Sequence, residues 1–306
     1  MRDAFIRVLT QLAEDDPRVV LITGDLGFGV LTDFARRFPR QFINAGVAEQ
    51  NMTALAAGMA LEGFSVYTYS IANFTTLRCL EQIRNDVCYH GAKVTIVSVG
   101  GGFSYGQLGM SHFATEDLAI LRALPAISVV APTEIWETED LTRALYARPG
   151  PAYLRLDKGT GGAPRRAGEI AVHGKARRVR EGSAITLVAI GAIVREALAA
   201  AEILAASGIM ARVVAVHTLK PLDAMEIIAA ARETGGIVTI EEHSILGGLG
   251  GAVAETCLEA GVPPKVFRRI GLADVFPAIV GDQNYLRAAY KMDAPAIVAT
   301  VRLALA

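Results

Sequence analysis

Cysteine is scarce in this chain of 306 residues. The three that occur, Cys79, Cys88 and Cys257, share no C-x-x-C spacing. That pattern argues against a zinc knuckle or a disulfide framework and suits a reducing compartment, so a cytoplasmic location is expected. Charge imbalance is also lacking: 30 basic residues face 31 acidic ones, a net charge of −1. Nothing electrostatic favours nucleic acid or an anionic membrane surface. No apolar run reaches the roughly 18 uncharged residues of a membrane span. The start, Met1-Arg2-Asp3-Ala4, carries an acid and lacks the apolar stretch of a signal peptide. Low-complexity tracts and clear internal repeats are missing as well.

What is present is a large apolar fraction, 52%, in a chain long enough for two domains. Short β-branched runs alternate with helical patterns. Strands are expected at Val19 to Ile22, Ser65 to Tyr69, Val94 to Val99, Ser128 to Val130 and Ala152 to Leu156. Helices are expected at Ala48 to Leu61, Thr75 to Tyr89, Glu116 to Ala123 and Glu134 to Ala147. This alternation predicts an α/β domain with a mostly parallel sheet over residues 1–158. Residues 159–174, rich in Gly, Pro and charge, read as a linker. A second α/β domain is expected over 175–306. Its strands are Ala184 to Ile190, Ala211 to Val216, Gly236 to Ile240 and Val266 to Ile270. Its helices are Ile193 to Ala206, Ala224 to Arg232, Gly250 to Ala260 and a C-terminal pair.

Loops at the C-terminal ends of parallel strands form the ligand crevice of such domains. Glycine and polar residues collect in four of them: Gly24 to Val30, Asn44 to Asn51, Ser70 to Phe74 and Gly100 to His112. Asn44-Ala45-Gly46-Val47-Ala48-Glu49-Gln50-Asn51-Met52 is the most unusual, because polar groups crowd the start of an apolar helix. Capping of that helix would account for Glu49 through the helix dipole. A desolvated acid aimed at a ligand nitrogen would account for it equally.

That segment resembles the F-x-N-x-G-x-A-E-Q-N-M motif of the transketolase family, which includes deoxyxylulose-phosphate synthases and the β chains of 2-oxo acid dehydrogenases. Two further segments are similar to the same family. Ile71-Ala72-Asn73-Phe74 followed by Arg78-Cys79-Leu80-Glu81-Gln82-Ile83-Arg84 is one. Gly106-Gln107-Leu108-Gly109-Met110-Ser111-His112 followed by Glu116-Asp117 is the other. The resemblance implies thiamine diphosphate as cofactor, with Glu49 holding N1′ of its aminopyrimidine. It implies that Phe74 stacks on that ring, that Ile71 lines its pocket, and that Asp25 and Arg78 lie near the cofactor. It also implies His112 as a proton carrier or hydroxyl ligand facing the substrate.

Pro151 to Leu156 resembles the family's closing strand, which would make Arg155 a substrate contact. Glu241-Glu242-His243 followed by Gly247-Gly248-Leu249-Gly250-Gly251 resembles its C-terminal domain motif, read here as packing rather than phosphate binding. Gly24-Asp25-Leu26-Gly27-Phe28-Gly29 lacks the order of a dinucleotide fingerprint.

Two departures put the substrate in question. Sugar-phosphate transketolases usually carry an acid where Leu108 stands and a histidine near Gly100. The family also holds its diphosphate and Mg²⁺ with a G-D-G motif and a downstream asparagine, and no G-D-G occurs here. The resemblance therefore implies a partner chain with the diphosphate-binding domain, in an α₂β₂ assembly. The expected activity is transfer of a two-carbon ketol unit between sugars, as one half of a split transketolase. The alternatives are a 2-oxo acid dehydrogenase β chain, a decarboxylating ligase, or a non-catalytic assembly subunit.

Overall fold

The computed structural model describes residues 1–306 as two α/β units, each built on its own sheet. The first unit holds β1 (Val19–Thr23), β2 (Phe42–Asn44), β3 (Ser65–Ile71), β4 (Val94–Val99), β5 (Ser128–Val130) and β6 (Ala152–Leu156). The second holds β7 (Ala176–Arg180), β8 (Ile185–Ile190), β9 (Ala211–Val216), β10 (Thr218–Lys220), β11 (Ile237–Ser244) and β12 (Phe267–Leu272). The strand orders are β10-β5-β6-β4-β3-β1-β2 and β12-β11-β8-β9-β7. All pairings among β1 to β6 are parallel. Strands β1, β4, β6, β8 and β9 are buried along their whole length, as strands covered by helices on both faces must be.

Three strands carry no sequence signal. Strands β2 and β10 have only three residues each. Strand β7 is rich in arginine, which reads as solvated charge. In the fold those arginines are paired: Arg177 with Glu137 and Glu169, Arg178 with Glu226, and Arg180 with Glu202. Strand β7 thus forms an antiparallel edge on β9.

The two units are fastened together. Strand β10 leaves the second unit and pairs antiparallel with β5 of the first sheet. One apolar cluster runs across the boundary, from Met52, Val94 and Tyr153 to Val188, Val214 and Ile227. The polar face of the junction is held by Arg155, Asp117 and Glu242. No helix is long and apolar enough to cross a membrane.

The helix expected over Thr75 to Tyr89 is not continuous. It breaks into a 3₁₀ turn at Leu77–Cys79, one α turn at Leu80–Gln82 and a π segment at Ile83–Cys88. The cause is local competition for carbonyls. The Thr76 hydroxyl donates to Ala72 O at 2.6 Å, and Cys79 Sγ donates to Phe74 O at 3.2 Å. The break puts Arg78 on a tight turn beside the end of β3.

Candidate active site

The parallel strands deliver four loops to one edge of the first sheet. The helix Glu49–Leu61 starts there, and no side chain caps its first turn. Asn44 is engaged elsewhere: its side chain accepts from Asp25 N at 3.1 Å and donates to Asp25 Oδ1 at 2.9 Å. This bracket holds Asp25 in its left-handed backbone conformation, φ 56°. The Glu49 side chain is 2% exposed and makes no bond to the helix amides. Its Oε2 instead accepts a hydrogen bond of 2.8 Å from Arg78 Nη1, and Arg78 is 46% exposed. Gly24 leaves the carboxylate room; a Cβ there would stand 3.3 Å from Glu49 Cγ.

Phe74 lies half-buried on the turn that follows β3, with Ile71 at the strand end. The Arg78 guanidinium covers the Phe74 ring at 4.5 Å. His112 meets the same ring edge-on at 5.2 Å. Ser111 Oγ lies 2.9 Å from His112 Nδ1, and Asn73 Nδ2 donates to Ser111 O at 2.8 Å. The His112 loop is thereby tied to the Phe74 turn, while Nε2 makes no hydrogen bond within the chain. Glu49, Arg78, Phe74 and His112 form one contiguous row, with Ile71 and Asp25 at its sides.

The row continues into residues that motif spacing did not single out. Tyr105 stands 6.3 Å from His112, and Lys158 Nζ lies 3.8 Å over the Tyr105 ring. Partial burial, with a smaller push from Arg2, holds the Lys158 ammonium below its ordinary pKa. The loop carrying Tyr105 is pressed onto the domain junction by Gly100, Gly101 and Gly102. A Cβ on Gly101 would overlap the Arg155 guanidinium, and one on Gly102 would overlap Glu242. A side chain at Gly100, where φ is +82°, would overlap the Tyr105 ring. The absence of a histidine at this position is thus a packing requirement of the loop.

Arg155 departs from its expected role. It is buried, and its Nη2 donates to Glu242 O at 3.1 Å and Ala114 O at 3.4 Å. Its Nε lies 3.5 Å from Asp117 Oδ2. A guanidinium spent on carbonyls of both domains joins the domains and does not face the crevice. Lys158, three residues on, lies over the Tyr105 ring at the crevice instead.

The glycine-rich motif of the second unit is filled from within. Glu241 accepts from Leu249 N at 2.7 Å and Gly250 N at 2.9 Å, at the start of the helix Leu249–Glu259. A Cβ on Gly248 would overlap that carboxylate. His243 Nε2 accepts from Ala119 N at 3.3 Å, so its proton resides on Nδ1, which donates to Ser244 O at 2.7 Å. The anion at this helix start is the protein's own side chain, and the motif is packing.

Two family models match the chain: "Transketolase, pyrimidine binding domain" over residues 1–162 and "Transketolase, C-terminal domain" over residues 174–297. The chain belongs to the transketolase family. It is 40% identical over 286 residues to the "Putative transketolase C-terminal section" of Methanocaldococcus jannaschii, covering 90% of this chain and 87% of that one. It is 36% identical to an apulose-4-phosphate transketolase subunit of Phocaeicola vulgatus, covering 98% of this chain and 95% of that one. A solved structure, "Split gene transketolase, inactive beta4 tetramer", superposes with a TM-score of 0.87 at 36% identity, covering 99% of this chain and 97% of that one. The transketolase pyrimidine domain implies thiamine dependence.

Proposed function

We propose that this transketolase-family chain is the pyrimidine-side subunit of a split thiamine diphosphate-dependent transketolase, transferring a two-carbon ketol unit between sugar substrates. The observation that carries this reading is the pairing of a buried Glu49 carboxylate with the half-exposed Phe74 ring at the rim of a parallel sheet. The donor chemistry fits an aminopyrimidine. A buried acid can hold a proton at a ring nitrogen, and an aromatic face beside it can stack on the ring. Arg78 makes both contacts in this structure, a bond to Glu49 and a stack on Phe74. An aminopyrimidine held by Glu49 and Phe74 would compete for these contacts with the Arg78 guanidinium, which is 46% exposed.

When bound, thiamine diphosphate supplies the nucleophilic carbon of the reaction. Glu49 holds the proton at the pyrimidine nitrogen and sets its tautomer. Phe74 and Ile71 orient the ring and exclude water from it. His112, with Nδ1 engaged by Ser111, presents Nε2 to a substrate hydroxyl or carbonyl and carries a proton there. Lys158 meets an anionic substrate end. Arg155 positions the loop from the domain junction.

The diphosphate and Mg²⁺ fall to a partner chain in an α₂β₂ assembly. Exposed apolar residues on and beside the crevice loops, Phe28, Val47, Leu55 and Leu77, give that chain a surface to cover. Three buried thiols suit the cytoplasmic setting of such an enzyme.

The test is co-expression with a partner chain carrying G-D-G, followed by ketol-transfer assays with sugars and 2-oxo acids. Transfer between sugars is expected. Carbon dioxide release from a 2-oxo acid without ketol transfer would assign the chain to the decarboxylating enzymes instead. Glu49→Ala should leave assembly intact and abolish exchange of the cofactor C2 proton with solvent. Wild-type exchange in that variant would refute the role of Glu49.

A further inference from the structure

The site carries a second departure besides its missing histidine: the place of that side chain is taken. Gly100 follows β4 at φ +82°, and the Tyr105 ring folds back over it, so that any side chain at 100 would overlap the ring. Tyr105 and Lys158 are also the two residues that border both cavities at this end of the crevice. One cavity, of about 270 Å³, is floored by Arg2, Val99 and Asp157. The other, of about 310 Å³, is lined by Gln107, Leu108 and Gln283. Tyr105, which lines the second cavity, stands 6.3 Å from His112, and this brings that cavity next to the reacting end of the row. The Tyr105 ring, with Lys158 Nζ 3.8 Å from its centroid, is the wall between the two.

We propose that Tyr105 is a specificity-determining residue that stops the substrate chain at Lys158. The inference rests on the transketolase reading above and goes beyond it by naming the substrate class. A substrate anchored at His112 runs along the cavity beside Leu108 and meets an ammonium at its anionic end. The ring bars extension into the cavity over Arg2 and Asp157. The class selected is therefore a short carbonyl sugar with a terminal anion, phosphate or sulfonate, and longer chains are refused by volume. Leu108, 54% exposed, offers no polar partner to hydroxyls along that path. Short or deoxy chains lose least there, since an unpaired hydroxyl against an apolar wall costs free energy.

The experiment uses the holoenzyme with its partner chain and one ketol donor. It measures kcat/KM for a three-carbon and a five-carbon aldose phosphate. Tyr105→Ala joins the two cavities and is expected to raise the five-carbon to three-carbon ratio roughly tenfold or more, chiefly through KM. Tyr105→Phe keeps the ring and is expected to leave the ratio within about twofold of wild type. Tyr105→Leu, which retains apolar bulk against the loop, should move the ratio in the same direction by less. It serves as the reading variant if the alanine protein does not assemble. An unchanged ratio in the alanine and leucine proteins overturns the inference while leaving the transketolase reading intact. So does an equal change in Tyr105→Phe. Absence of ketol transfer by the wild-type holoenzyme overturns that reading, and the inference with it. Paired three-carbon and five-carbon substrates ending in sulfonate separate the two anion sources: comparable rates assign the site to anions in general, and loss of the three-carbon sulfonate assigns it to phosphate.

Discussion

Glu242 is the point where the second domain grips the loop that carries the site. Its Oε1 accepts from Phe103 N at 2.5 Å and from Gln283 Nε2 at 2.8 Å, and its Oε2 pairs with Arg287 Nε. Both charged partners are buried, with side-chain exposures of 6% for Glu242 and 5% for Arg287. Glu242→Ala strands the buried Phe103 N–H, removes one acceptor from the part-buried Gln283 amide, and leaves Arg287 with Glu196, 3.6 Å away, and Asp157 as acidic neighbours. Removing one partner of a buried ion pair costs about 3–5 kcal/mol. An orphaned backbone N–H costs about 1–3 kcal/mol more, and the remaining Glu196 contact offsets part of the sum. A net loss of about 3–5 kcal/mol is expected. Glu242→Gln keeps an acceptor for Phe103 and should lose about 1.5–3 kcal/mol, the share of a charge-assisted bond.

Urea unfolding measures both losses, followed by far-UV circular dichroism and by fluorescence of the single tryptophan, Trp136, in the first domain. Because Glu242 links the domains, the two signals should coincide in wild type and separate in Glu242→Ala. Coincident transitions and a loss below about 1 kcal/mol, the size of an ordinary surface substitution, would show that Glu242 does not hold the junction.

Two further outcomes follow from burial. All three cysteines are buried, and burial pushes the thiols of Cys79 and Cys88 up to about 11 and raises that of Cys257. At neutral pH their thiolate fraction is roughly one in ten thousand for the first two. A thiol reagent should therefore label no cysteine in the native chain and all three in denaturant, and rapid native labelling would contradict the packing. Burial also raises the Glu241 carboxyl above its usual range, against the lowering effects of His243 and the amides of Leu249 and Gly250. The native state then keeps this proton to higher pH than the unfolded chain does. The associated stability is present below about 4.3, the unfolded carboxylate value, and is lost as pH rises through the folded value. Wild type should lose stability relative to Glu241→Gln over that window, and a gap moving the other way would show that the amide bonds outweigh desolvation.

Much of this molecule is legible from period and order along the chain. The β-branched runs of β1, β4, β8 and β9 are buried on both faces, so they appear as mostly apolar stretches whatever surrounds them. The order of the four loops follows from parallel strands, which bring their C-terminal ends to one edge. Glu49, Phe74 and His112 could be named because each lies in a segment that resembles a transketolase-family motif.

Tertiary structure alone decided the rest, because the deciding contacts join residues far apart in sequence. Arg155 reads as a strand-end cation until Ala114 and Glu242 claim its guanidinium. Glu49 reads as a helix-start acid until Arg78, from another element, takes its charge. Gly100 reads as a missing polar group until the Tyr105 ring is found in its place. The short strand β10 gives no periodic signal and exists only because a neighbouring sheet edge supplies its hydrogen bonds. Local sequence reports which face of an element is apolar; which buried charge meets which partner depends on how two domains close on each other.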